Sequence, residues 1–411
     1  MESGTLFSLP SSPVSQGRVG ANLLLYLLFW GISPGRTFFK YLPDSKLALV
    51  ALLVYNGWLL FLVFAFLRWR EKLSDLLKNR LLYAGVLLVL LGVVLLGYPV
   101  ADGLKVKGRG SDQDDCVILG VQHLLRLENP YLSLTYRGNP CSTGMGVLLP
   151  YIPLVALNLY EIGSVLFFSL TVWYLFNRYD PAVAGFFTLT FITNPLCMEL
   201  MVVGSDLFLV GFFTLLAALY LDRHLERLNL RSILLSSLLV GLAASSRLPM
   251  LVLIGLFSIP VMLKTWQKGI WFLALCLILA LGPSLLIYIQ NPASFTPLHL
   301  INKARLFLSP AGKIVISALM LVFFLLALRL YLKNQNSLLN TVLWSLAPFF
   351  GGLWIGGLIY VEYDLVQLEH FNYLIPILPL VGAACLLELH SSSSTGRPLS
   401  SIFYRVRAKN T

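Results

Sequence analysis

Apolar residues in this chain run in blocks of roughly 17–25, parted by short polar breaks, from residue 22 almost to the C-terminus. The two-residue alternation of a membrane strand is absent, so each block predicts a helix able to cross a hydrocarbon core of ~30 Å. About twelve spans are predicted, at 22–40, 46–67, 81–99, 147–176, 182–200, 207–222, 232–247, 248–263, 270–289, 312–333, 339–359 and 372–389. The block 147–176 is too long for one crossing. Pro150 and Pro153 predict its division into a short re-entrant or interfacial piece and a full span.

Composition agrees with the pattern. The chain is 57% hydrophobic and only 12% charged, against about 25% charged in soluble domains. The class is an all-α polytopic membrane protein. Residues 1–20 are polar and lack a basic region leading to a small-residue cleavage site, so the first apolar block is expected to be a retained span. Five cysteines are too few for a disulfide scaffold. Cys197, Cys276 and Cys385 fall in apolar blocks and are expected to be core residues. Cys116 and Cys141 share a polar loop and are candidates for a disulfide if that loop faces an oxidising compartment.

Charge orients the spans. A cytoplasmic N-terminus puts Arg68, Arg70, Lys72, Lys78, Arg80, Arg223, Arg227, Arg231, Lys264, Lys268 and the basic tail on the inner side. The formal +11 is then a topology signal under the positive-inside rule and requires no nucleic acid. The organisation expected is a cytoplasmic tail over 1–20, two N-terminal spans with a basic loop over 21–80, a core over 81–390 and a basic tail over 391–411. The unusual polar residues then gather on the outer face, in the loop 101–146, near Asp206 and Arg247, and in 290–312 and 360–371.

The outer loop carries the strongest candidate chemistry, GSDQDDCVILGVQHLLRLENPY over Gly110 to Tyr131. Asp112, Asp114 and Asp115 are each explained by simple solvation of a loop. The amphipathic segment after them reads as an interfacial helix, however, and pins the Asp pair at the lipid boundary. A desolvated carboxylate there can serve as a general base, worth about 10²–10⁴-fold in rate. Asp115 adjoins the apolar segment and is expected to be the more desolvated. Glu199 lies inside an apolar block, where an ionisable group is a functional candidate or snorkels to the interface. Gly204-Ser205-Asp206 reads as an ordinary turn between spans. Arg247 sits between apolar runs with almost no loop, suited to a bidentate phosphate contact. Glu362, Asp364 and His370 precede the last span among Tyr360, Tyr363 and Tyr373, which read as an aromatic belt. The five histidines have no metal-ligand spacing, and no phosphate-loop or dinucleotide glycine pattern occurs, so no metal or other cofactor is expected.

In this order the motifs resemble the GT-C membrane glycosyltransferases, and among them the polyprenyl-phosphate-mannose-dependent mannosyltransferases. The resemblance rests on Asp114/Asp115 followed by Leu127-Glu128-Asn129-Pro130-Tyr131, a proline-containing return at Gly146 to Pro153, and the turn Gly204-Ser205-Asp206. It continues through a basic cytoplasmic turn from Arg223 to Arg231, the small-residue helix ending Arg247-Leu248-Pro249, and His370 to Tyr373. Order and topology agree over roughly 81–390. Arg247 stands where the family has Lys, Ser205-Asp206 replaces an amide-rich turn, and two spans instead of one precede the acidic loop.

The resemblance implies a GT-C-like bundle of about twelve transmembrane helices with interfacial helices in the first large outer loop. It implies transfer of a mannose-like hexose from a polyprenyl-monophosphate donor to a glycan, glycolipid or protein acceptor. This would occur on the outer face of a bacterial plasma membrane, with inversion and without metal. Asp115 or Asp114 is then the base. Arg247, His370 and Asp206 bind the donor, and Glu199, Asn129, Tyr131, Glu362 and Asp364 the substrate. A transporter or flippase of lipid-linked sugars and a non-catalytic membrane assembly protein remain alternatives. A flippase predicts related halves and charges near the midplane; no internal repeat is evident, and the polar groups cluster on one face.

Overall fold

A computed structural model describes residues 16–42, 44–107, 111–299, 308–364 and 369–394. Its helices are α1 (Gln16–Ile32), α2 (Gly35–Tyr41), α3 (Ser45–Leu77), α4 (Arg80–Gly103), α5 (Asp115–Leu125), α6 (Met145–Ala156), α7 (Gly163–Arg178) and α8 (Pro181–Ile192). They continue with α9 (Pro195–Val202), α10 (Leu207–His224), α11 (Leu230–Ser245), α12 (Val252–Lys264), α13 (Trp266–Gln290), α14 (Pro310–Leu332), α15 (Leu338–Tyr360) and α16 (Leu378–Ser394). No strand occurs among the described residues. Six helices are long and apolar enough to cross a membrane, or seven if the bent pair α8–α9 is one span. The protein is an all-α membrane protein.

The helices differ in how they use their apolar surface. Helix α4 buries Leu90 and Val94 but turns Leu88, Val89, Leu96 and Val100 outward, as expected where one side meets lipid. Its 24 residues rise ~36 Å, enough to cross the core with a modest tilt. Helix α10 is enclosed by α7, α11, α15 and α16. Aromatic rings fill the centre. Phe191 lies 4.7 Å from Phe168 and 5.5 Å from both Phe208 and Phe212. Edge-to-face and offset pairs of this kind add about 0.5–1.5 kcal/mol each beyond burial.

Three predicted spans end differently. The block 22–40 breaks at Ser33-Pro34 into α1 and α2, since proline cannot continue the ladder. The block 182–200 bends by 74° between α8 and α9. Asn194 makes that break stable: its carbonyl caps Cys197 N–H at 3.1 Å, and its amide donates to Ser33 Oγ at 2.7 Å and Tyr55 Oη at 3.0 Å. In the third case the block does divide into a short helix, α6, and a following one, α7, but not at Pro150 or Pro153, which both lie within α6. The helix instead stops at Asn158, whose left-handed backbone (φ 54°) closes a Schellman motif through Leu159 N–H to Leu154 C=O at 2.7 Å.

Polar contacts collect at two ends of the bundle. One end joins Tyr83 to Pro181, Lys268 to Leu228, Asp222 to the N-terminus of α15 and Arg70 to His390. The other joins Arg36 to Asn372, Lys105 to Asp114, Asn129 to Ser294 and Arg247 to Asp206. This second end holds the candidate residues.

Candidate functional site

Helix α4 ends in Tyr98-Pro99-Val100-Ala101-Asp102-Gly103 and passes into one 3₁₀ turn, Leu104–Lys107. The three-residue step sets Lys105 Nζ 2.7 Å from Asp102 Oδ1. The same ammonium lies 2.8 Å from Asp114 Oδ2 and 2.6 Å from Asp115 Oδ1, so three carboxylates share one cation. Tyr98 Oη adds a 2.6 Å bond to Asp114 Oδ2, and Tyr136 N–H donates to Asp115 Oδ2 at 2.9 Å.

The two aspartates are therefore not equivalent. Asp115 has both oxygens engaged and its side chain is 13% exposed; that of Asp114 is 1% exposed, and its Oδ1 has no partner. The expectation that Asp115 is the more desolvated is corrected. As first residue of α5 it sits on the helix surface, and the preceding Asp114 turns inward under α4. Burial raises the Asp114 carboxyl above the ordinary carboxylate value, opposed by the bonds from Lys105 and Tyr98. A small, partly open depression beside it, too tight for a water molecule, is lined by Tyr98, Ala101, Asp102, Lys105, Ser111 and Asp114 among others. A sugar would enter only as those side chains part.

Gly204 connects this cluster to the next. It closes a Schellman motif at the end of α9, with φ 70° and Ser205 N–H on Leu200 C=O at 2.8 Å. A Cβ there would stand 2.8 Å from Tyr160, 3.0 Å from Tyr98 and 3.3 Å from the Asp114 Cβ. Glycine is thus required twice, by backbone and by space. Tyr160 Oη holds the turn by donating to Gly204 C=O at 2.6 Å.

Two residues on, Asp206 is buried and accepts from Arg247 Nη2 at 2.5 Å and from Thr143 Oγ1 at 3.2 Å. Arg247 Nη1 donates to Ser142 Oγ at 2.8 Å. Gly144 lets the segment 141–144 lie flush on α11, since a Cβ there would overlap the Ser245 carbonyl. Asp206 Oδ1 and Tyr131 Oη are both buried without partners. Burial raises the Tyr131 hydroxyl while the Arg247 charge opposes that shift, which puts the phenol within the arginine's field. A disulfide between Cys116 and Cys141 ties the first turn of α5 to the segment bearing Ser142.

The remaining candidates disperse. Glu199 is held by Thr37 at 2.6 Å, Lys40 at 2.7 Å and Tyr41 at 3.3 Å, and pins α2 to α9. Asn129 shapes its own loop, accepting from Tyr131 N–H at 2.9 Å and donating to Ser294 at 2.6 Å. Asp206 neutralises Arg247; a carboxylate gives a donor phosphate no hydrogen bond, so its expected donor contact is corrected to support of the arginine. Glu362 and Asp364 lie on the turn after α15. The His370 side chain lies outside the described residues. His123 bonds Glu128 at 2.7 Å and Ser133 at 2.8 Å, a clasp that closes the loop after α5.

Tyr98, Lys105, Tyr160 and Ser142 are the site residues that sequence reasoning missed. Only Lys105 left a signal, as a cation three residues after Asp102 at a span end. Among the described residues no group of three metal-ligating side chains could hold an ion. No protein-family model, curated protein or solved structure matches the chain.

Proposed function

We propose that this protein is a membrane glycosyltransferase of GT-C type, using a polyprenyl-monophosphate sugar outside the cytoplasm. The observation that carries the reading is Asp114: a buried carboxylate with one oxygen free of partners, its proton affinity raised by burial. A base for a hydroxyl needs an unpartnered oxygen and elevated basicity, and Oδ1 becomes reachable only as the side chains around it part. In the step proposed, an acceptor oxygen attacks the anomeric carbon as its proton passes to Asp114 Oδ1. The bond from that carbon to the donor phosphate breaks, and the configuration inverts.

Arg247 supports the leaving group. Guanidinium carries five N–H donors, and Ser142 and Asp206 use two. The remainder, with the Tyr131 hydroxyl, can face phosphate oxygens as charge develops. The polar end of the bundle is read as the outer end because Arg68, Arg70 and Lys72 lie toward the opposite end of α3. The bundle proposed has about twelve crossings, of which the six long apolar helices, or seven with the bent pair α8–α9, supply a part. The sugar favoured is a mannose-like hexose, by resemblance alone.

The test is transfer from a polyprenyl-phosphate hexose in proteoliposomes. Asp114→Asn should abolish turnover with donor binding intact, and Asp115→Asn should keep a measurable part. Full turnover in the double variant would end the reading. A second reading, a flippase of lipid-linked sugars, draws on the 74° break of α8–α9, since broken helices mark many transporters. It predicts that Asp114→Asn still moves labelled lipid across the bilayer, with no glycosidic bond formed by either protein.

A further inference from the structure

Lys105 has no place in the transfer step above, yet it makes more ionic contacts than any other residue of the Asp114 cluster. Its ammonium and the Tyr98 hydroxyl both bind the same oxygen of Asp114, Oδ2, and leave Oδ1 without a partner. A carboxylate with one oxygen doubly held cannot rotate without breaking two charge-assisted bonds. Asp102 and Asp115 in turn hold the ammonium from either side, so its position is fixed independently of Asp114.

We propose that Lys105 is a positioning residue for Asp114, fixing the carboxylate so that Oδ1 is the oxygen left free of partners. The proposal rests on Asp114 being the base. It assigns the acidic loop a division of labour: one carboxylate for the proton, two to hold the cation that aims it.

Charge sharpens the consequence. Asp114 is faced by Tyr98 and Lys105 from α4 and its following turn, by Asp115 from α5 and by Tyr160 from the turn before α7, with Asp102 on Lys105 and Glu161 near Tyr98 just beyond. Lys105 is the one cation in that set. Removing it leaves burial and three neighbouring carboxylates, all of which favour the protonated form. The acid limb of the rate profile then moves to higher pH, since a base of raised pKa is less ionised at any given pH.

A hydrophobic carbodiimide modifies protonated carboxyls, and site-resolved mass spectrometry of the purified full chain reads this at Asp114 without a transfer assay. Lys105→Met should move the Asp114 midpoint upward, giving about tenfold more modification at neutral pH for a shift of one unit. Lys105→Arg should stay near wild type. Asp102→Asn removes a negative neighbour and should move the midpoint downward, which keeps the test alive if the Met variant does not fold. In the transfer assay Lys105→Met should lower kcat with KM little changed, and Lys105→Arg should recover much of the loss. An unmoved midpoint in both Lys105→Met and Asp102→Asn would overturn the proposal. A shifted midpoint in a protein that transfers no sugar would sink the glycosyltransferase reading and leave the coupling standing.

Discussion

Arg247 gives one guanidinium nitrogen to Asp206 and the other to Ser142, so the arginine and the buried carboxylate form one unit. The consequence differs from what the sequence suggests, where an isolated arginine could be exchanged without effect on folding. Arg247→Met strands a carboxylate that is 1% exposed. Breaking one half of a buried pair costs about 3–5 kcal/mol. Melting in detergent should fall accordingly, with Arg247→Lys intermediate because it keeps charge but loses the fork. Arg247→Met with Asp206→Leu should recover most of the loss. A Met single variant that melts like wild type would show the pair contributes nothing to stability.

Gly204 and Gly138 form a natural control. Both have positive φ, 70° and 76°, but Gly138 has open space around its missing Cβ. Alanine at either position carries the left-handed backbone cost of about 1–2 kcal/mol. At Gly204 it must also displace Tyr160, Tyr98 or Asp114. Gly204→Ala should lower melting well beyond Gly138→Ala and should disturb Asp114, read as reduced transfer. Equal effects in the two variants would mean that the close approach is not restrictive.

The legible part of this fold is what depends on local pattern. Apolar runs place the long helices α3, α4, α10, α13, α14 and α15, because an uninterrupted hydrophobic stretch has few alternatives in lipid. Pro150 and Pro153 mislead as to where the break falls, because neighbouring groups can re-satisfy the carbonyls that a proline frees inside a membrane helix. The true stop at Asn158 depends on a left-handed residue that many sequences conceal. At the site, the Asp pair and Arg247 stand out as charges among apolar neighbours. Their partners do not: Thr37 and Lys40 reach Glu199 across more than 150 residues of sequence, and Ser142 reaches Arg247 across 105. Tyr98 passes for one more aromatic at a span end until Asp114 is seen beneath it.

The Cys116–Cys141 bridge joins the segment that carries Asp114 to the one that carries Ser142 and Thr143. It closes 25 residues, and the chain-entropy estimate for such a loop is about 3.5 kcal/mol. Replacing both cysteines by serine should lower the melting temperature. It should also depress transfer more than donor binding, since the two clusters lose their covalent tie. Reductant should reproduce the effect in wild type and leave the serine variant unchanged; equal sensitivity of both would point to another target.

The side of the membrane on which Asp114 and Arg247 open decides whether a polyprenyl-phosphate donor used outside is feasible. Leu127 follows α5 and is 97% exposed, and Glu71 lies toward the far end of α3 with its side chain 86% exposed. Native thiols interfere little, because Cys197, Cys276 and Cys385 are buried and Cys116 and Cys141 are bonded to each other. An impermeant maleimide applied to intact cells should therefore label Leu127→Cys and spare Glu71→Cys, with both labelled after permeabilisation. That outcome agrees with a disulfide in an oxidising compartment and with the basic end of α3 inside. Labelling of Glu71→Cys alone would turn the Asp114 and Arg247 clusters toward the cytoplasm and remove the case for an externally used donor.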